Sequence, residues 1–319
     1  MSFAEPLRVG LLVGRERKFP DALIAAVNER NAGVVCEYAR LNGSRMAETP
    51  PYAVLVDRIS HEIPYYAAYL KTAALAGTVV INNPFWRAAD DKFFGASLIT
   101  KLGMASPRTM ALPNHSYVEG VVTESLRNLN YPLNWDEIVA YIGLPAVLKP
   151  HWGGGWKDVS VVHSRDELMT AYNRSGTTSM ILQEFIRWEH YVRCICIGQD
   201  RILPIRYDPH AVFHERYVVD HNHMSAKLGA RVVADALLVN RAMGYDMNTV
   251  EFAVRDGVPY AIDFMNTAPD FDPVSLPPVY FEWVVSHMAE LVIARAKGAK
   301  LREGEPNWQE LMQPLVPAF

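Results

Sequence analysis

Residues 250 to 266 read VEFAVRDGVPYAIDFMN, and their chemistry alternates. Even positions carry Phe252, Val254, Val258, Tyr260, Ile262 and Phe264, while odd positions carry Glu251, Ala253, Pro259, Ala261 and Asp263. Side chains alternate across a strand, so one face is greasy and the other is small and holds two carboxylates. The parity survives a turn only if the loop has an odd number of residues. Arg255-Asp256-Gly257 suits a three-residue loop with Gly257 in the left-handed position. Residue 251 then pairs with 261, and Glu251 and Asp263 become diagonal neighbours on one face. Two anions that close repel unless a cation lies between them or one takes a proton. Hard oxygen ligands on neighbouring strands suit Mg2+, above all when substrate phosphates complete its shell. The competing reading is a solvated face with two unrelated acids.

A second candidate is AVLKPHWGGGWKDV, residues 146 to 159: a strand ending in Lys149, the glycines Gly153, Gly154 and Gly155, and a return strand. Successive glycines let backbone N–H groups turn toward one anion, and the lysine adds a point charge beside them. A flexible hairpin tip with a snorkelling lysine is the alternative. The Gly-Lys-Ser/Thr ending of a Walker loop is missing, and the following strand argues against a dinucleotide fingerprint. Arg193 and Arg206 face each other directly if their strands turn through Gln199-Asp200 alone. Such a pair clamps a carboxylate or phosphate; a different loop length would leave two separate arginines. His210, His214, His221 and His223 crowd one polar stretch. With no cysteine partner they fit a loop over an acceptor pocket better than a zinc site. Trp152 and Trp156 flank the glycines as a lid or packing surface.

The elements that must position these groups alternate early in the chain. Strands are expected at residues 7 to 13, 34 to 38, 52 to 57 and 78 to 82, with helices from Pro20 to about Asn31 and over residues 65 to 76. This pattern gives a small, mostly parallel sheet ending near Pro84. A helix over residues 90 to 102 follows, with Asp90 or Asp91 at its positive end. Residues 112 to 133 read as a surface excursion. Asn134 with Glu137 and Ser164 with Glu167 have capping-box spacing, so helices start there. Further strands are expected at 146 to 149, 159 to 163, 180 to 184, 191 to 197 and 201 to 207, and helices at 228 to 243 and 279 to 297.

The bulk properties bound the partners. The chain has 319 residues, half of them apolar and 21% charged, with a net charge of −4. No long basic run supports nucleic-acid binding, and no apolar run approaches a membrane span. The apolar residues 9 to 13 are too few for a signal peptide and precede Arg15, Arg17 and Lys18. Cys36, Cys194 and Cys196 have neither metal-ligand nor redox spacing, which fits buried thiols in a reducing cytoplasm.

Taken in order, these pieces resemble the ATP-grasp superfamily of ATP-dependent carboxylate–amine ligases, from about Asn82 to Asp270. The entry pattern lies in Asn83-Pro84, Asp91-Lys92 and the run from Leu102 to Thr109. The resemblance implies an α/β (α+β) fold: an N-terminal Rossmann-like pre-ATP-grasp lobe (1–84), a central subdomain with the glycine loop (85–182) and a C-terminal subdomain with the metal site (183–319). It further implies that Lys92 and Lys149 hold ATP phosphates beneath Gly153, Gly154 and Gly155. Gln183, Glu184 and Ile186 would read the adenine, and Glu189 would accept the ribose hydroxyls. Glu251, Asp263 and Asn266 would hold Mg2+, with Mn2+ as the alternative ion. A basic group near Arg193 or Arg206 would steady an acyl phosphate. Asp263 and Asn266 stand three apart where the family has two, so alternation separates them unless a bulge intervenes or the strand ends. Asp270, where relatives often have glycine, reads as a turn residue. The implied reaction is ADP-forming ligation of a small-molecule carboxylate to an amine, in a protein that can form a homodimer. The alternatives are a small-molecule kinase on the same fold and a non-catalytic nucleotide-binding protein.

Overall fold

The computed structural model describes residues 5–46, 48–88, 91–154 and 156–298. The chain divides into two compact units: Met1–Ala89, His190–Phe252 and Phe264–Phe319 form one, and Asp90–Glu189 with Ala253–Asp263 the other. This grouping differs from the three consecutive regions expected from the sequence.

The first unit opens on β1 (Leu7–Leu12), α1 (Lys18–Glu29), β2 (Val34–Tyr38), β3 (Val54–Asp57), α2 (Pro64–Leu75) and β4 (Val79–Ile81), followed by the short α3 (Pro84–Ala88). The strands form a sheet in the order β2-β1-β3-β4, every pair parallel, as the β-α-β alternation requires. Phe19, Leu23 and Val27 recur at helical spacing and are all buried, which fixes the inner face of α1. Leu12, Leu55, Leu70, Ala73 and Val80 share a core cluster.

The second unit starts with α4 (Lys92–Lys101), β5 (Thr109–Leu112), α5 (Trp135–Ile142), β6 (Ala146–Pro150), β7 (Ser160–Val162), α6 (Arg165–Arg174) and β8 (Met180–Glu184). Its sheet runs β5-β8-β6-β7, antiparallel throughout. The helix starts follow the caps. Asp91 accepts from the Phe93 and Phe94 amides, Asn134 from Glu137 and Ser164 from Glu167. Ile138, Ile142, Leu148, Leu168, Met180 and Leu182 fill the core beneath.

The chain then returns to the first unit through β9 (His190–Ile197), β10 (Arg201–Tyr207), β11 (Tyr217–Val218), α7 (Ala226–Met243) and β12 (Met247–Arg255). The tip of β12 belongs to the second unit, as does β13 (Val258–Asp263); α8 (Pro278–Ala296) closes the first.

The β12–β13 connection corrects the expected loop. Only Asp256 and Gly257 lie between the strands, both left-handed at φ 53 and 70. This is the two-residue turn that Asp-Gly favours, not a three-residue loop. The pairing shifts by one residue, so alternation no longer gives Glu251 and Asp263 a common face. Burial agrees: Pro259 and Ala261 are buried on β13, whereas Val258 is exposed and Tyr260 and Ile262 are half-exposed. The strand ends at Asp263, so alternation does not govern Asn266 either.

Candidate functional site

In the second unit, β6 and β8 bring the nucleotide candidates together. Lys149 pairs with Ile181 and Val147 with Gln183, which puts Lys149 and Gln183 on one side of the sheet. The buried Lys149 ammonium donates to Gln183 Oε1 at 2.9 Å and to the Ile262 carbonyl at 3.3 Å. Gln183 is turned by its own amide, which donates to Thr109 Oγ1 at 3.0 Å. A buried ammonium keeps its charge only when donors and acceptors are matched in this way.

Lys92 is the first residue of α4, tied down by its backbone amide to the His151 carbonyl at 2.9 Å. Its ammonium donates to the Gly153 carbonyl at 2.9 Å and stands 3.6 Å from Asp263 Oδ1. Lys92, the glycine loop and one acid of the expected metal set thus meet within one unit. Gly153 holds φ 99, open to glycine alone at no cost, and Gly154 is exposed; Gly155 lies outside the described residues. Trp152 and Trp156 are both exposed beside it.

The adenine and ribose candidates separate in character. Glu184 lies between Arg108 Nε at 3.0 Å and Arg255 Nη1 at 3.1 Å. Burial works against its charge, but the hydrogen bonds from Arg108 and Arg255 outweigh that and hold its carboxyl below the usual range. Ile186 is buried. Glu189 is exposed; its backbone amide donates to the Val254 carbonyl and its carboxylate accepts from the Asp256 amide at 3.3 Å. Arg108 and Arg255 had no sequence signal as partners, because the pairing depends on which strands neighbour β8.

In the first unit the expected arginine clamp is absent. Arg193 pairs with Ile205, and Arg206 with Val192, because the β9–β10 turn holds Gly198, Gln199 and Asp200 rather than two residues. The two guanidiniums therefore take opposite faces. Arg206 is exposed and bonds Asp220 at 3.1 Å. Arg193 is buried, 3.2 Å from Glu251 Oε1, and donates to Tyr207 Oη and Thr249 Oγ1, both at 3.2 Å. Its guanidinium lies over the rings of Tyr207 and Tyr217. Burial opposes its charge, yet Tyr217, Glu251 and Tyr207 together raise its pKa. Tyr191 completes the cluster, donating to Glu251 Oε2 at 2.6 Å. Neither Tyr191 nor Thr249 stood out in the sequence, and only the strand register identifies them.

Asn266 is placed by its backbone amide, which donates to Asn248 Oδ1 at 2.8 Å. Asp270 accepts from the Asp272 amide and from Ser275 Oγ, as a turn residue does. Among the described residues no three His, Cys, Asp or Glu side chains gather as a ready-made metal cluster. Asp263 presents a hard oxygen beside the Lys92 ammonium, a position that accepts a cation, whereas Glu251 and Asn266 belong to the other unit. That donor chemistry fits Mg2+, which binds through one or two carboxylates plus phosphate oxygens. No helix among the described residues is long and apolar enough to cross a membrane.

No family model matches the chain. Among curated proteins it is similar to D-alanine–D-alanine ligase of Bacillus anthracis, 26% identical over 170 residues, covering 50% of this chain and 55% of the relative. The match thus spans about half the length of that protein. Among solved structures it is similar to the RimK domain ATP-grasp protein of Sphaerobacter thermophilus, with TM-score 0.64 and 18% identity over 90% of this chain and 99% of that one. The B. anthracis ligase complexed with ATP superposes with TM-score 0.61 and 18% identity, covering 93% and 99%. The mixed α/β fold of this chain is the one these ATP-grasp structures share.

Proposed function

We propose that this protein is an ATP- and Mg2+-dependent ligase that activates a small-molecule carboxylate. The meeting of Lys92 with Gly153 and Asp263 carries the reading, since it gathers a cation, a flexible loop and an acid where a triphosphate and its metal would need them. Lys149 and Gln183, already matched to each other, supply a charge and an amide beside that place. Similarity to D-alanine–D-alanine ligase, which is complexed with ATP in one solved structure, supports the same chemistry.

In this account the substrate carboxylate attacks the γ-phosphorus, the bond to ADP breaks and an acyl phosphate forms. An amine then displaces phosphate. Lys92, Lys149 and the loop of Gly153, Gly154 and Gly155 hold phosphates, and Gln183, Glu184, Ile186 and Glu189 hold the nucleoside. Glu251, Asp263 and Asn266 carry the Mg2+, which neutralises phosphate charge when bound. Catalysis is positioning and charge neutralisation, with no side-chain nucleophile. Arg193, committed to Glu251, is not assigned the transferred group. Functionally, residues 1–84 would shape the acceptor pocket, 85–182 carry the glycine loop and 183–319 carry metal ligands, in a cytoplasmic protein.

ADP release measured against a panel of carboxylates, with and without amines, tests the assignment. Release that needs both a carboxylate and an amine is expected; a stable phosphorylated product with no amine requirement would make the protein a kinase. Asp263→Asn should lower Mg2+-dependent release at least about a hundredfold, with an unchanged far-ultraviolet circular dichroism spectrum.

A further inference from the structure

We propose that Tyr191 is a positioning residue for Glu251, fixing that carboxylate in one orientation for a divalent ion; the inference rests on the Mg2+ reading above. Tyr191 and Arg193 are two apart on β9, so they project to one side, and β9 is the neighbour of β12, which carries Glu251. Tyr191 Oη donates to Glu251 Oε2 at 2.6 Å, and Arg193 Nη1 forms an ion pair with Oε1 at 3.2 Å. A carboxylate offers about four lone-pair sites, so each oxygen keeps one for a cation.

Both groups are themselves held by neighbours. Arg193 is pinned by Tyr207 and Thr249 and covered by the rings of Tyr207 and Tyr217. Tyr191 is buried, with its ring centroid 6.0 Å from that of Tyr207. The ring alone would serve packing, and phenylalanine would supply it. The hydroxyl has a separate use: its 2.6 Å bond to Glu251 is in the range of a charge-assisted contact. Hydrogen bonds to ligating carboxylates orient them, and their loss typically weakens metal affinity by about 10- to 100-fold.

The test titrates Mn2+ into the full chain with a non-hydrolysable ATP analogue and counts free ion by electron paramagnetic resonance. Tyr191→Phe, which keeps the ring, should weaken Mn2+ binding about tenfold while the melting temperature stays near wild type. Glu251→Gln should weaken it at least as much. If Glu251→Gln weakens binding and Tyr191→Phe leaves it unchanged, the positioning role is overturned and the metal reading stands. If Glu251→Gln itself has no effect, or wild type takes up no Mn2+, Glu251 is not a ligand and both ideas fall. Should Tyr191→Phe fail to fold, Thr249→Val gives a second route: it removes a fixed point of Arg193 and should also weaken Mn2+ binding, and an unchanged affinity in a folded Thr249→Val protein would overturn the inference.

Discussion

The β9–β10 and β12–β13 hairpins carry the basic and acidic candidates, and each turns one residue away from its expected length, in opposite directions. Between β9 and β10 a third residue, Gly198, joins the turn at φ 64. Between β12 and β13 a residue drops out, and Arg255 ends its strand instead of entering the loop. A slip of one residue sends every side chain of a strand to the other face. In the first hairpin it turns Arg193 inward to Glu251 and leaves Arg206 outside with Asp220. In the second it buries Pro259 and Ala261 and leaves Tyr260 and Ile262 half-exposed. In each hairpin the turn length decides which side chains are buried.

The contrast can be broken at its strongest point. Arg193→Ala leaves Glu251 half-buried without its cation and should cost about 3–5 kcal/mol in urea denaturation. A loss below about 1 kcal/mol would return Arg193 to the surface. The second hairpin is sharpened by Asp256→Val. A β-branched residue forced to φ 53 should lose about 1–2 kcal/mol, whereas a three-residue loop with only Gly257 left-handed would tolerate it. The smallest effect belongs to Arg206→Ala, whose exposed partner predicts no measurable change in the denaturation midpoint. A clear shift would mean that Arg206 does more than meet solvent.

Legibility followed the range of the interaction. The caps at Asn134 and Ser164 were readable because each is completed within three residues. Strands β2, β8 and β10 fall where apolar runs place them, at Val34–Tyr38, Met180–Glu184 and Arg201–Tyr207. Lys92 and Lys149 stood out through the aspartate before one and the glycines after the other, and the fold brings each to a polar partner. Turn length was harder. A glycine such as Gly198 fits a strand end or a turn, and Asp-Gly suits a two-residue turn as well as the close of a longer one. Sheet neighbours were unreadable, so the arginines flanking Glu184 and the tyrosine on Glu251 had to come from the structure.

The central claim is that a triphosphate is gripped where Lys92 and the glycine loop meet, and that its grip depends on a divalent ion. Calorimetric titration of ATP into the full chain, with Mg2+ and then with a chelator, tests it directly. Saturable one-to-one binding that weakens at least about tenfold when the ion is removed is the expected result. No heat above dilution, or an affinity indifferent to the chelator, would contradict it.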